Sequence, residues 1–336
     1  MRIPRVGATE RNTEIQYKGA DMNEPALTQE GKEFLQKVLN IWSPIIQQRK
    51  RERIVRILGW IMGARGIPEA GKDEVLEAVR QVVPKSYDPI FDIWEDPEKW
   101  KKEFLGAFED MELYKKLPVQ VKRWEAPPVE KPAKQPEQMK VIAFCASPRK
   151  NGNTDLLVEE ALKGAVSTGA QGEKVMLQKI KMGFCIGCRK CKDPDFNDVC
   201  VIKDDMDEIY QKIEDADGII IGFPIYTGRE CAQLSTFLDR WDAFERFRLE
   251  SALEPGRRSL VIGTWGYTAI NTYDHVIENV IGCLGLHHVK TVEALSACSF
   301  EGKLHGLDEN RKGVIAQHPA LLKKAFDAGV SLIRGN

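Results

Sequence analysis

The chain has 336 residues, of which 43% are apolar and 29% are charged, and its formal net charge is -1. This length is long for one domain and suits two, and the composition is that of an ordinary globular protein. The near-neutral charge gives no reason to expect nucleic acid or an anionic membrane as the main partner. Because the sequence lacks a run of about 18 apolar residues and begins with a polar segment, we expect no membrane span and a cytoplasmic location.

The N-terminal third predicts a polar arm followed by a small helical domain. Residues 1–25 are polar and irregular, and residues 26–117 carry four apolar stripes at helical spacing. Asp96-Pro97 is typical of a helix start. The basic run Arg49-Lys50-Arg51-Glu52-Arg53 permits two interpretations, an anionic docking face or a solvated helix face. Residues 118–138 contain several prolines among charged residues and predict an extended linker.

From residue 139 the sequence predicts an α/β domain that extends to residue 336. Short apolar runs at 141–144, 174–180, 218–222, 259–263 and 289–294 alternate with segments of helical periodicity. Five strands that alternate with helices predict a parallel sheet with helices on both faces. Ligands of such sheets bind at the carboxyl ends of the strands, beside the point where the strand order reverses.

Three loops at these strand ends carry residues suited to a cofactor. The first, residues 147–154, opens a helix, and a helix N-terminus suits a phosphate. The second runs from Pro224 to Arg229, and the third contains Trp265 and Gly266. A planar ring can stack on Tyr226 or Trp265 while the backbone amides of Thr227 and Gly228 meet its polar edge. Helix capping without a ligand remains the alternative for the first loop.

The cysteines are the second signal for a cofactor. All eight lie at or after Cys145, and four are closely spaced in a loop over residues 185–200: Cys185, Cys188, Cys191 and Cys200. Three thiols with C-x2-C-x2-C spacing and a fourth further along are typical of a [4Fe–4S] cluster. A zinc site and unliganded thiols are the alternatives. Cys231 begins a helix whose dipole would lower its pKa, although a packed, unreactive thiol is the competing interpretation.

The segment 144–154, together with Cys185-Ile186-Gly187-Cys188, 200–206, 216–220, Pro224-Ile225-Tyr226 and Ala232-Gln233-Leu234, resembles the NADPH-dependent FMN reductase family of flavodoxin-like fold. The cysteine run is similar to the iron-sulfur flavoprotein branch of that family. The resemblance implies an FMN bound by residues of the three loops: Ser147, Arg149, Asn151, Asn153, Thr154, Pro224, Ile225, Tyr226, Thr227, Gly228, Trp265 and Gly266.

The resemblance further implies an oxidoreductase that passes electrons between NAD(P)H or ferredoxin and an acceptor, through FMN and a [4Fe–4S] cluster, in a homodimer or homotetramer. FMN performs the chemistry, so no catalytic side chain is assigned, with contributions considered for Tyr226, Arg229 and Cys231. Two alternatives stay open. One is a cluster-free NAD(P)H:FMN or quinone reductase, and the other is a non-enzymatic electron carrier or redox-sensing module.

Overall fold

A computed structural model describes residues 25–83, 87–100, 102, 119–125, 131–245, 251–266, 269–299 and 311–335. The chain divides into two compact units between Asp88 and Pro89. The sequence predicts the helical domain to continue to residue 117, and those domain limits stay a prediction. Among the described residues, no helix is long and apolar enough to cross a membrane.

The first unit is built on three helices, α1 (Gln29–Leu39), α2 (Pro44–Arg65) and α3 (Lys72–Val82). Thr28 caps α1, since its Oγ1 accepts a hydrogen bond of 3.0 Å from the Gly31 N–H. Gly66 ends α2 in the left-handed conformation, at φ 66°. The helices bury one stripe each against one another, and the buried residues of α2 are Ile54, Leu58, Ile61 and Met62.

Two short helices follow, α4 (Asp88–Glu95) and α5 (Pro97–Trp100). The predicted helix start at Asp96 is confirmed, because the Asp96 Oδ1 accepts a 2.9 Å hydrogen bond from the Lys99 N–H. The helix α4 was not predicted from the sequence. The polar arm and most of the predicted helix beyond Trp100 lie outside the described residues.

In the second unit, the described residues form a sheet of seven strands. They are β1 (Gln120–Arg123), β2 (Lys140–Cys145), β3 (Gln171–Met176), β4 (Gly218–Tyr226), β5 (Arg229–Glu230), β6 (Arg258–Trp265) and β7 (Lys290–Cys298). Their order is β1-β7-β6-β4-β2-β3, and β5 pairs with β4 alone. The parallel strands β2, β3, β4, β6 and β7 therefore have the 2-1-3-4-5 order of the flavodoxin-like fold, as predicted.

Helices cover both faces of this sheet. They are α6 (Asn153–Val166), α7 (Met206–Asp215), α8 (Ala232–Arg240), α9 (Asp274–Leu286) and α10 (Pro319–Arg334). One hydrophobic cluster lies beneath α7, α8 and α9, and a second lies beneath α6 and α10. Gly329 brings α10 close to α6, since a Cβ at that position would come 1.8 Å from the Ala161 carbonyl oxygen.

Three features differ from the predicted elements. The predicted linker contains β1, which pairs antiparallel with β7 and extends the five-stranded parallel sheet at that edge. The strand predicted over 174–180 begins earlier and ends at Met176, where a 3-10 turn, Leu177–Lys179, follows. Finally, β4 continues to Tyr226, so that Pro224 and Ile225 are buried strand residues rather than loop residues.

Candidate functional site

The three predicted ligand loops lie at one edge of the sheet. They follow β2, β4 and β6, which are neighbouring parallel strands and therefore end on the same side. The reversal of strand order lies between β2 and β4, because β3 is on one side of β2 and the later strands are on the other. This is the position at which flavodoxin-like sheets bind a ligand.

The loop after β2 turns sharply into α6. Asn151 adopts a left-handed conformation at φ 59°, and Gly152 is the last residue before the helix. The Asp155 carboxylate is buried and fixes this turn by accepting hydrogen bonds from the Asn151 N–H, at 2.8 Å, and from the Lys174 Nζ, at 3.1 Å. The first-turn N–H groups of α6 have no intrahelical acceptor, and they can bind an anion.

The polar side chains of this loop are largely engaged within the protein. Ser147 and Thr154 are buried, and the Thr154 Oγ1 lies 2.7 Å from the Thr264 Oγ1. The Asn153 side chain donates to the Ser299 Oγ at 2.5 Å and accepts from the Ile315 N–H at 3.1 Å. These contacts hold the loop in shape, so the backbone N–H groups are its principal anion donors.

The segment that contains Gly313 lies directly against the start of α6. The Gly313 N–H donates to the Asn151 carbonyl at 2.8 Å. A Cβ on Gly313 would come 2.6 Å from the Asn153 nitrogen and 2.3 Å from its Oδ1. Residue 313 therefore has to be glycine for the chain to approach the anion-binding end of α6 this closely. The sequence analysis did not identify this contact.

The predicted loop after β4 is a two-residue hairpin. Tyr226 pairs with Arg229 across it, and the two turn residues, Thr227 and Gly228, have φ values of 51° and 78°. Positive φ at both positions is typical of a type I′ turn, which matches the twist of the two strands. The turn holds the Tyr226 side chain at the edge, where it is 41% exposed. Stacking of a planar ring on Tyr226 stays a prediction.

Trp265 does not offer a free ring face, contrary to the sequence-based expectation. It is 5% exposed, its Nε1 donates to the Ala269 carbonyl at 3.1 Å, and its ring packs edge-on against Tyr273 at 5.6 Å. Gly266 is exposed and follows directly on β6. The backbone at Trp265 and Gly266 thus contributes to the edge, and Tyr267 lies outside the described residues.

Arg229 and Cys231, the other two candidates for a catalytic contribution, differ in their exposure to solvent. Arg229 is exposed, and its Nη2 donates to the Ser235 Oγ at 3.1 Å. Cys231 is buried at the start of α8, with its Sγ 3.4 Å from the Ala146 carbonyl oxygen. Burial raises the pKa of Cys231, although backbone N–H groups at the helix start act in the opposite direction. Burial thus outweighs the helix dipole, and of the two interpretations of Cys231 the structure favours the packed, unreactive thiol.

The four cysteines of the loop line one common cavity. It has a volume of about 20 Å³, and its walls include Cys185, Cys188, Cys191 and Cys200. Gly187 and Arg189 have left-handed φ values of 62° and 57°, which makes the chain turn between successive thiols. Cys185 and Cys188 are exposed, whereas Cys191 and Cys200 are half-buried.

An ion pair closes the base of this cysteine loop. The buried Arg240 guanidinium donates to both Asp204 carboxylate oxygens, at 2.6 and 3.2 Å, and to the Gly183 carbonyl at 2.9 Å. Asp204 in turn accepts from the Gly183 N–H at 2.7 Å. The middle of the loop is fixed by Lys192, whose Nζ donates to the Glu245 carbonyl at 2.9 Å.

The four loop thiols match in number the ligand set of a [4Fe–4S] cluster. Among the described residues, no group of three or more Cys, His, Asp or Glu side chains meets at a point suited to one metal ion. In a [4Fe–4S] cluster each thiolate binds a different iron, so four thiols around one cavity are the required arrangement. All four thiols belong to a loop that is tied at its base and its middle.

The sequence analysis missed Asp204, Arg240 and Lys192, which hold the cysteine loop. Asp204 is one of two adjacent acidic residues that follow Cys200 and directly precede α7. An acidic residue at this position is typical of a helix N-cap, so the sequence contained a signal for Asp204. Arg240 gave none, because a basic residue at the end of an amphipathic helix is ordinarily solvent-exposed.

Comparisons with known proteins agree with this geometry. Residues 139–297 match the family model described as NADPH-dependent FMN reductase. An iron-sulfur flavoprotein of Methanocaldococcus jannaschii is 46% identical over 102 residues, which are 30% of this chain and 51% of that protein. The iron-sulfur flavoprotein of Methanosarcina thermophila is 41% identical over 102 residues, 30% of this chain and 52% of that protein.

An iron-sulfur flavoprotein of Archaeoglobus fulgidus is 37% identical over the same length, 30% of this chain and 45% of that protein. The chain thus spans about half the length of the curated relatives that it matches. The matched family, the order of the parallel strands and the position of the three loops all agree. Residues 139–297, just under half of the chain, are thus similar to the NADPH-dependent FMN reductase family.

Proposed function

We propose that the protein is an FMN-dependent oxidoreductase that exchanges electrons between a two-electron donor of the NAD(P)H type and a one-electron carrier protein. The observation that carries the proposal is that all four loop cysteines line one cavity in the same unit as the flavodoxin-like sheet edge. FMN, when bound, accepts an electron pair and releases single electrons, and an iron-sulfur cluster handles one electron at a time.

The chain's own residues position the flavin at the sheet edge. We assign the phosphate to the N–H groups at the start of α6, with Ser147, Arg149, Asn151, Asn153 and Thr154 shaping the loop. We assign the ring to the edge formed by the hairpin and the end of β6, with its flat face beside Tyr226. The type I′ turn directs the Thr227 and Gly228 backbone toward this edge without a flexible loop.

The helix α8 supports a short path between the flavin edge and the cysteine loop. At its start, Cys231 contacts the carbonyl of Ala146, the residue that follows β2. At its end, Arg240 holds Gly183 and Asp204 at the base of the cysteine loop. The nine residues of α8 rise about 13 Å. The two candidate cofactor sites are therefore connected by a single rigid element.

Anaerobic purification followed by a visible spectrum and by iron, sulfide and flavin assays tests the proposal. We expect FMN together with about four iron and four sulfide per chain, as a [4Fe–4S] cluster requires. Stopped-flow mixing with NADPH should then bleach the flavin band. A flavin-free protein, or one whose flavin neither NADH nor NADPH reduces, would contradict the enzymatic proposal.

A cluster-free NAD(P)H:FMN or quinone reductase is the second candidate function. It is favoured by the exposure of Cys185 and Cys188, which leaves two of the four loop thiols open to solvent. An anaerobic preparation that holds FMN and turns over NADPH but contains neither iron nor zinc would support this candidate over the first.

The same assays separate a non-enzymatic electron carrier or redox sensor, whose flavin would be reduced by ferredoxin and not by NAD(P)H. We further propose a homodimer or homotetramer as the assembly, which sedimentation equilibrium measures. Four closely spaced thiols that serve as ligands suit a reducing compartment, and we propose the cytoplasm.

A further inference from the structure

The helix α2 presents a row of cations on one side. Arg49, Arg53 and Arg56 recur at steps of four and three residues, and Trp60 follows four residues later. At 3.6 residues per turn these four side chains lie within an arc of about 60°. We call them the α2 basic face. The buried residues of α2 lie on the opposite side of the helix, so the packing of the first unit fixes this face outward.

The cations of the α2 basic face are not balanced within the described part of the chain. Arg49, Arg53 and Arg56 are exposed and have no ion pair among the residues that the structure describes. Arg65, further along the helix, differs because it pairs with Glu77 through two hydrogen bonds of 2.8 Å. Like charges three and four residues apart repel each other, and Glu52, three residues after Arg49 and four before Arg56, offsets only part of this repulsion.

Two further features add to this cost. The first turn of α2 contains no acidic residue to complement the positive end of the helix dipole. The Lys50 ammonium, which lies over the Trp42 ring at 5.3 Å, has its pKa lowered by burial and then by the Arg53 charge. The helix α2 carries six basic residues against one acidic residue, Glu52, and an anionic surface that covered this side would offset the excess of positive charge.

Apolar side chains are exposed beside these cations. Trp60 is 70% exposed, and Ile45, one turn before Arg49 on the same side, is 85% exposed. Arg and Trp are the residues that most often dominate protein interfaces. The distance from Ile45 to Trp60 along the helix is about 22 Å, which suits one protein epitope of ordinary size.

The neighbouring helices favour a compact partner over a long polyanion. The first turns of α1 and α3 carry acidic residues, namely Glu30, Asp73 and Glu74. These carboxylates confine the excess of positive charge in the described part of the first unit to α2, so the charged surface has the size of one epitope rather than that of an extended track for a polyanion. A membrane is also disfavoured because the apolar side of α2 is buried in the unit and is not available for insertion.

We propose that the α2 basic face docks a small acidic one-electron carrier protein of the ferredoxin class, an inference that rests on the proposed function. Each oxidised carrier that docks takes up one electron and leaves reduced, so two carriers together accept the electron pair that one NAD(P)H-type donor delivers to the redox centre. Docking on α2 raises the carrier concentration near the redox centre of the same chain, as any tethered binding site does.

Isothermal titration with a strongly acidic two-cluster ferredoxin tests the proposal on the full-length protein. In the variant Arg49→Glu/Arg53→Glu/Arg56→Glu we expect the Kd to rise at least about tenfold and the salt dependence of binding to flatten. Circular dichroism checks that the variant remains folded. The triple variant Lys32→Glu/Lys131→Glu/Lys290→Glu makes the same charge change at exposed lysines outside α2, and we expect its Kd to stay near that of the unmodified protein.

Any other outcome of these titrations contradicts the proposal. No binding of the ferredoxin by the unmodified protein, or an equal loss in both triple variants, overturns it. A 20-base-pair DNA duplex and phosphatidylserine vesicles are titrated in the same way. If either binds more tightly than the ferredoxin and this binding is lost in the α2 variant, the α2 basic face binds that polyanion and not a carrier protein. Failure of dithionite to bleach any flavin band would reject the proposed function, and the titration would still report separately on docking.

Discussion

Arg240 donates to both carboxylate oxygens of Asp204, at 2.6 and 3.2 Å, and this pair ties the end of α8 to the base of the cysteine loop. The Arg240 side chain is 1% exposed and that of Asp204 is 11% exposed. Removal of one partner from a buried ion pair leaves the other charge without compensation. The cysteine loop therefore depends on a charge pair that contributes no ligand to the candidate cluster.

We expect Asp204→Asn to lower the free energy of unfolding by about 3 kcal/mol, because the Arg240 charge is then buried without a counter-charge. The variant should also become more sensitive to limited proteolysis within residues 183–204. Urea unfolding and mapping of the first cleavage sites measure both effects. Lys203→Met is the matched control: Lys203 pairs at the surface with Asp198 and Asp207, and such pairs contribute little. Equal effects of the two substitutions would contradict the importance of the buried pair.

The same pair predicts a pH dependence. Partial burial acts to raise the pKa of Asp204, but hydrogen bonds from Arg240 and from the N–H groups of Gly183 and Met206 lower it below its ordinary value. A carboxyl with a lowered folded-state pKa stabilises the protein above its unfolded pKa of about 3.9, and this contribution is lost as the pH falls through the folded-state pKa.

The difference in unfolding free energy between the unmodified protein and Asp204→Asn should thus be constant from pH 7 to about pH 5 and should shrink below about pH 4. Urea unfolding at a series of pH values measures it. A difference that stays constant or grows on acidification would show that Asp204 does not carry this charge in the folded protein.

The hairpin at the sheet edge contains a residue that is poorly suited to its conformation. Thr227 has φ 51°, where a β-branched residue is rare and costs about 1 kcal/mol or more. We expect Thr227→Asn to raise the unfolding free energy by about 1 kcal/mol, since Asn-Gly is the preferred pair for this turn. Gly228→Ala should lower it by a similar amount, because its φ is 78°. Opposite signs for the two variants in thermal denaturation confirm the turn type, and equal signs contradict it.

Local signals made much of the fold predictable from the sequence. The helix start at Asp96 and the buried run that begins β4 depend on neighbours a few residues away, and both predictions match the structure. The Arg240–Asp204 pair joins residues 36 positions apart, and periodicity carries no information about such a partner. This pair could therefore not be predicted from the sequence.

The candidate site was predicted less completely than the fold for a similar reason. Thr227 lacks the small or amide side chain that usually marks a left-handed turn, so the hairpin was interpreted as a loop. An aromatic residue at a strand end suits both a core and a binding edge, and only packing against Tyr273 places Trp265 in the core. The contact of Gly313 with Asn153 depends on a distant segment of the chain.

If the four loop cysteines bind a cluster, substitution of one of them should remove iron and leave the FMN in place. We expect Cys188→Ser to lose at least half of the iron and sulfide and the associated visible absorbance, because the cluster needs all four thiolates. FMN content should stay unchanged, since Cys188 lies outside the three flavin loops. Cys283→Ser is the control, because Cys283 lies on α9 and outside the cavity that the four loop cysteines line. Unchanged iron in Cys188→Ser, or an equal loss in both variants, would contradict the assignment of the cluster.

The close approach of Gly313 to α6 predicts a specific effect on flavin affinity. A Cβ at residue 313 would come 2.6 Å from the Asn153 nitrogen, so Gly313→Ala must displace either its own segment or the start of α6. Because the N–H groups of that helix start are the proposed phosphate donors, we expect the Kd for FMN to rise about tenfold, the equivalent of about 1.4 kcal/mol.

Fluorescence titration of the flavin-free protein with FMN measures this effect, and titration with riboflavin, which has no phosphate, separates the phosphate contribution from that of the ring. Gly282→Ala is the matched control, since a Cβ at that position of α9 meets no atom within 4 Å. It should leave the FMN affinity unchanged and stabilise the helix by up to about 1 kcal/mol. If Gly313→Ala weakens riboflavin as much as FMN, the start of α6 does not bind the phosphate.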